Sequence, residues 1–119
     1  MYLGGYANRY QRDFLKKIYL DNPNLKFFHF GDIDAGGFYI FNDLCRKTGI
    51  DFSVYKMSVQ ELMDARYRTS LRKLTNNDKT RLISLKDDSV FKEVIKYMLD
   101  NDVKLEQEII SFYESVDNG

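Results

Sequence analysis

Cys45, Pro23 and His29 are each the only residue of their kind in this 119-residue chain. A single cysteine excludes an intramolecular disulfide. Cys45 also falls inside an apolar helical pattern with no neighbouring base, so it reads as a core thiol rather than a nucleophile. No stretch reaches the roughly 18 apolar residues that a membrane-spanning helix needs, and no charged-then-apolar leader is visible. The expectation is a cytoplasmic protein with no membrane segment. Net charge is zero, so composition by itself gives no argument for a nucleic-acid partner.

What is present is apolar and unevenly charged. The chain is 44% hydrophobic with nine Phe and nine Tyr, enough to bury a core, and its length fits one domain over residues 1–119. Residues 87–119 carry a net −6, so residues 1–86 carry +6. A basic front and an acidic tail fit a surface in the first part that faces a polyanion.

The apolar pattern gives an order of elements. Met1-Tyr2-Leu3 reads as the last residues of a strand, as though the chain had been cut into, and Gly4-Gly5 follow as a turn. Tyr6 to Leu20 has helical spacing, with Tyr10, Phe14 and Ile18 as the inward stripe, widened by Leu15 and Tyr19. Its cations Arg9, Arg12, Lys16 and Lys17 fall off that stripe, as a solvated face or as phosphate contacts near the helix start. Leu25 to Phe30 reads as a strand buried on both faces. Gly36 to Lys47 is a helix with Gly49 as a left-handed cap, and Asp51 to Met57 is a third strand. Strand, helix, strand, helix, strand is a doubly wound α/β pattern. Beyond it, Ser58 and Glu61 form a capping box for a short helix. Residues 67–77 read as a basic loop, and helices are expected over Asp78–Leu85, Ser89–Asp100 and Val103–Tyr113.

The chemistry concentrates in Gly31-Asp32-Ile33-Asp34-Ala35-Gly36-Gly37, at the carboxyl end of the second strand. Ligands of open α/β sheets bind outside the carboxyl ends of strands. In extended backbone, residues two apart project to one side, so Asp32 and Asp34 can converge on one hard cation. Mg²⁺ takes one or two carboxylates and completes its shell with water and phosphate oxygens. Gly36 and Gly37 would leave room for a phosphate beside the helix start. The competing structural reading makes Asp34 a helix cap and gives Asp32 a turn bond. A calcium loop is disfavoured because Gly36 offers no side-chain oxygen and Asp43 stands where Glu belongs. A haloacid-dehalogenase phosphatase is disfavoured because its Asp-x-Asp continues Gly-Thr.

The aspartate turn, the preceding aromatic strand and Leu3-Gly4-Gly5-Tyr6-Ala7-Asn8-Arg9 together resemble the Toprim domain of topoisomerases and primases. They are closest to the form in the type IIB topoisomerase catalytic subunit and in the C-terminal domain of the Wadjet plasmid-defence nuclease subunit JetD. Leu105-Glu106-Gln107-Glu108 resembles a late acidic segment of the same family. The resemblance implies a Toprim-like, Rossmann-like parallel sheet with flanking helices, lacking its first strand, plus C-terminal helices. It implies a catalytic domain for DNA cleavage that depends on Mg²⁺ (or Mn²⁺), with Asp32 and Asp34 as metal-binding and catalytic residues. Glu108 would be a possible additional acid.

The family's further Glu should precede Gly4-Gly5, and nothing here matches it, so the chain is expected to be a fragment that is inactive alone. A non-catalytic domain that binds an anion or a partner on the same fold is the alternative. The implied partners are double-stranded DNA, a second copy in the intact protein, and a condensin-like complex. Arg9 and the basic run Arg66, Arg68, Arg72, Lys73, Lys79 and Arg81, with Tyr67 among them and only Asp78 against it, are the candidate DNA contacts. The competing reading of that run is a solvated helix face. His29, within the strand, reads as a packed core histidine.

Overall fold

The computed structural model describes residues 2, 3 and 8–118. Three short strands, β1 (Tyr2–Leu3), β2 (Phe28–His29) and β3 (Ser53–Val54), form a parallel sheet in the order β1-β2-β3. Tyr2 pairs with Phe28 and Leu3 with His29; Phe28 pairs in turn with Ser53 and His29 with Val54. Helix α1 (Arg9–Asp21) connects β1 to β2, and α2 (Ala35–Thr48) connects β2 to β3. Then come α3 (Val59–Met63), a 3₁₀ helix (Ala65–Ser70), α4 (Asn76–Ser84), α5 (Lys92–Asn101) and α6 (Gln107–Asn118).

The α/β alternation is as expected, but the domain is mostly helical and the strands are far shorter than the apolar runs that announce them. Leu25 is 41% exposed, so the apolar run enters the core only at Phe27. Strand order follows chain order, so the described strands contain no reversal. Right-handed crossovers then put α1 and α2 on one face, where they pack together. The switch-point crevice of a doubly wound sheet is absent among these strands.

Three helix ends follow the sequence closely. Asn8 and Gln11 form a capping box on α1. Gly49 ends α2 in the left-handed conformation with φ 68°, where a Cβ would be strained. Ser58 and Glu61 form the expected box on α3. The helix expected from Tyr6 starts at Arg9 instead, because Asn8 is extended and caps it; the expected Gly4-Gly5 turn lies outside the described residues.

The stripe of α1 needs correction. Tyr10 and Phe14 are exposed, while Leu15 is buried and Ile18 and Tyr19 pack partly against the core. Four-residue spacing identified the helix but placed its inward face about a quarter-turn away. The core runs from Phe27 and Phe52 through Phe38, Phe41 and Phe91 to Met98, Leu105 and Ile110. Phe38 stacks on Phe91 with ring centroids 4.2 Å apart, and Phe41 meets the same ring edge-on. These contacts fix α2 against the start of α5. His29 is fully buried, its ring 5.8 Å from that of Phe41. Cys45 is half-buried, and burial raises its thiol pKa, which fits a packing role.

The last helix also differs from its expected span. Residues 103–106 are extended rather than helical. Ile33 donates to the Leu105 carbonyl at 2.8 Å and accepts from its amide at 3.2 Å, as an antiparallel bridge. Arg72 and Lys104 form a second bridge on the same segment. The apolar residues Val103 and Leu105 alternate as strand residues do, and tertiary pairing overrides the helical spacing that Leu105 and Ile109 suggest.

Candidate functional site

The turn after β2 is built by alternation. Ile33 is fully buried and bridged to Leu105. Its neighbours Asp32 and Asp34 are half-buried and flank it. Each aspartate closes a helix. Asp34 is the N-cap of α2: its Oδ1 accepts from the Gly37 amide at 2.7 Å. Asp32 reaches across the fold, and its Oδ1 accepts from the Gln107 amide at 2.7 Å, at the first residue of α6. The structural alternative weighed for this turn is therefore right about Asp34 as a cap. The local turn bond it assigned to Asp32 is instead a link over 75 residues.

The glycines are used unequally. A Cβ on Gly37 would stand 2.0 Å from the Asp32 carbonyl oxygen. The missing side chain is thus filled by the turn's own backbone, and the space expected there for a phosphate is taken. A Cβ on Gly36 would make only ordinary contacts, with Asp34 Oδ1 at 3.4 Å and Arg81 Nη2 at 4.0 Å, so a methyl group fits there. A Cβ on Gly31 would come within 2.7 Å of the His29 imidazole, which ties the turn's first glycine to the buried histidine.

Burial raises the Asp34 carboxyl above its ordinary pKa. The Gly37 amide opposes that rise, the Asp32 charge adds to it, Lys104 opposes it and Asp78 adds again. The turn is thus surrounded by charge from elsewhere in the chain. Lys104 Nζ donates to Asp78 Oδ2 at 2.7 Å, and Asp78 belongs to a capping box with Thr75 at the start of α4. The side chains of Lys104 and Asp78 are largely buried, at 22% and 13% exposed, which makes this the most enclosed ion pair of the described residues. Arg81 comes from the same helix, its guanidinium 5.1 Å from the centre of the Tyr39 ring.

Sequence reasoning missed Lys104 and Gln107, and it took Arg81 and Asp78 only as members of a basic run, without placing them beside the turn. For Asp78 a signal was there: Thr75-x-x-Asp78 is a capping pattern, and it places the start of α4 at Asn76 inside the supposed loop. For Lys104 and Gln107 no local pattern exists, and nothing local places Arg81 beside the turn.

The other candidate residues lie apart from the turn or in pairs. Glu108 is exposed in the first turn of α6. Glu106 precedes that helix and bonds Arg72 at 2.8 Å. Among the described residues, no three His, Cys, Asp or Glu side chains converge so as to hold a metal ion. Arg66 bonds Asp64 and Asp117 and lies over the Tyr67 ring. Arg9 is highly exposed near Asp13, and Arg68 is exposed. Two arginines of the basic run thus have acids of the acidic tail against them, Arg66 with Asp117 and Arg72 with Glu106, and outside the run Lys56 pairs with Glu114.

With this geometry in view, comparison with known proteins is decisive about kinship. The sequence matches the family described as Wadjet protein JetD, C-terminal, over residues 1–118. The chain belongs to this family. It is 31% identical over 121 aligned residues to the Wadjet protein JetD of Bacillus cereus (strain Q1), an alignment covering 92% of this chain and 28% of the relative. The chain thus spans little more than a quarter of the JetD relative's length. The JetD C-terminal match includes the aspartate turn, Arg81, Lys104 and the α6 start. No helix among the described residues is long and apolar enough to cross a membrane.

Proposed function

We propose that this chain is the metal-binding catalytic domain of a DNA-cleaving protein of a Wadjet plasmid-defence system, with the Toprim-like chemistry that its turn resembles. The observation that carries the reading is the pair Asp32 and Asp34, held side by side at the carboxyl end of the central strand in a JetD C-terminal relative. Each carboxylate commits Oδ1 to a backbone amide, which fixes its orientation and leaves Oδ2 as the oxygen for a cation. Two carboxylates suit Mg²⁺ or Mn²⁺, whose remaining positions go to water and phosphate oxygens. The cation, when bound, would polarise a phosphodiester and offset the charge of the two acids. A third acid would come from outside the described residues, so metal binding by this chain alone is expected to be weak. Duplex DNA as substrate, a second copy in the intact protein and a condensin-like partner complex belong to the same reading.

One observation favours a second reading. Both aspartates already serve as helix caps, and a non-catalytic domain that binds an anion or a partner needs them for nothing more. Titration of Mn²⁺ into the wild-type chain and into Asp32→Asn and Asp34→Asn separates the two. Asn keeps a side-chain oxygen for capping and removes the ligand charge. The catalytic reading expects at least tenfold weaker Mn²⁺ binding in both variants, about 1.4 kcal/mol, with folding intact. Equal Mn²⁺ binding by all three proteins defeats it.

A further inference from the structure

Several cations of the molecule are matched to a carboxylate. Arg46 bonds Asp43, Arg66 bonds Asp64 and Asp117, Arg72 bonds Glu106, and Lys104 bonds Asp78. Arg81 differs. Among the described residues it makes no ion pair within 4.0 Å, although it is half-buried and stands beside the aspartate turn. Its position is nevertheless braced. The guanidinium lies over the Tyr39 ring of α2, and the Tyr39 hydroxyl bonds Ser84 Oγ at 2.7 Å. Ser84 in turn donates to the Arg81 carbonyl at 2.6 Å. Ring, hydroxyl and backbone thus hold one arginine against the start of α2.

That arginine also stands close to the first turn of α2. The point where a Gly36 Cβ would stand is 3.4 Å from Asp34 Oδ1 and 4.0 Å from Arg81 Nη2. Carboxylate and guanidinium therefore flank Gly36 without an ion pair between them. An arginine offers planar, paired donors suited to two phosphate oxygens. A metal held by the aspartates would attract the same phosphate from the other side.

We propose that Arg81 is the phosphate-contacting residue of this site: it binds the phosphodiester of duplex DNA beside Gly36, where no side chain stands between it and the aspartate turn. The inference rests on the catalytic reading of the turn and adds to it the residue that orients the substrate.

The test uses the whole chain and a short labelled DNA duplex, with Ca²⁺ present to allow binding without turnover. Three variants are compared: Arg81→Ala, Arg81→Lys and Gly36→Ala. The added methyl of Gly36→Ala makes only ordinary contacts, so the fold should stand, as thermal unfolding will show, while a methyl group comes between Asp34 and Arg81. Expected are about tenfold weaker duplex binding for Arg81→Ala and Gly36→Ala, and a salt dependence of binding reduced by about one phosphate contact for Arg81→Ala. Arg81→Lys should keep the salt dependence and lose part of the affinity. Mn²⁺ binding without DNA should stay within about twofold of wild type for Arg81→Ala, since the guanidinium is not a metal ligand.

Duplex affinity and salt dependence unchanged in Arg81→Ala would overturn the inference, as would no duplex binding by the wild-type chain. Failure of the catalytic reading has another signature: Asp32→Asn and Asp34→Asn that bind Mn²⁺ as the wild type does, whatever the Arg81 variants show.

Discussion

The starts of α2 and α6 are closed by two aspartates of one turn, by opposite routes. Asp34 caps the helix that follows it, over three residues of chain. Asp32 caps a helix that begins 75 residues later. The first bond is local and could form in an isolated peptide. The second exists only when the chain has folded, because the antiparallel bridge between Ile33 and Leu105 delivers Gln107 to the carboxylate. One turn therefore nucleates a helix and anchors the C-terminal region. The same two carboxylates form the candidate metal site, so its geometry is set by the fold's own hydrogen bonds. This is the preorganisation that a catalytic site requires, and also why removing either acid will affect more than metal binding.

The comparison can be broken most severely at Gly37. Its Cβ would meet the Asp32 carbonyl oxygen at 2.0 Å, and that oxygen is backbone, so the turn itself must move. Gly37→Ala is expected to cost about 3 kcal/mol, the upper part of the range for overpacking, and to loosen both caps together. Gly36→Ala, one residue away, is expected to be neutral or slightly stabilising because alanine favours helix. Urea unfolding of the two variants measures the contrast. Equal stability of the two would mean that the turn is not pinned between α2 and Asp32.

Separating the two caps is the next largest effect. Asp32→Ala should cost about 2 kcal/mol, as for a hydrogen bond to a charged group. Its signature should be faster amide hydrogen exchange in the first turn of α6, with α2 unaffected. Asp34→Ala should cost about 1 kcal/mol, an ordinary N-cap loss, and expose the first turn of α2 instead. If Asp32→Ala left α6 protected, the long-range cap would not be holding that helix.

This difference between local and distant bonds also explains what the sequence made legible. The capping box at Ser58, the Gly49 cap and the aspartate turn depend on neighbours within four residues, and the structure places all of them. The Asp32–Gln107 bond, the Lys104–Asp78 pair and the Arg81–Tyr39 stack join residues far apart in the chain, and no periodicity announces them. Segment 103–106 shows the competition directly: its spacing suits a helix, but pairing with Ile33 and Arg72 satisfies its backbone as a strand. The charge asymmetry was legible as numbers but not as geometry. The acidic tail folds back on Lys56, Arg66 and Arg72, so part of the positive surface expected to face a polyanion faces the protein's own C-terminal region.

The smallest effect sharpens the comparison through pH. Helix α6 has a second anchor that α2 lacks: Glu114 pairs with Lys56 and accepts from the Tyr55 hydroxyl at 3.1 Å. The Lys56 ammonium holds the Glu114 carboxyl below its ordinary value of 4.5; burial opposes this and Tyr55 assists. A depressed carboxyl pKa means that the folded state binds the proton less well than the unfolded chain. The pair's stabilisation is therefore complete above about pH 5 and disappears as pH falls through the folded value. Both side chains are about a quarter to a third exposed, so solvent screening keeps the contribution below about 1 kcal/mol. Glu114→Gln should lower stability slightly at pH 7 and match the wild type near pH 3. The difference should follow α6 protection in hydrogen exchange and leave the start of α2 unchanged. A stability difference between Glu114→Gln and wild type that stays constant from pH 7 to pH 3 would show that the pair contributes packing rather than charge, and Asp32 would then be the main electrostatic tether of α6.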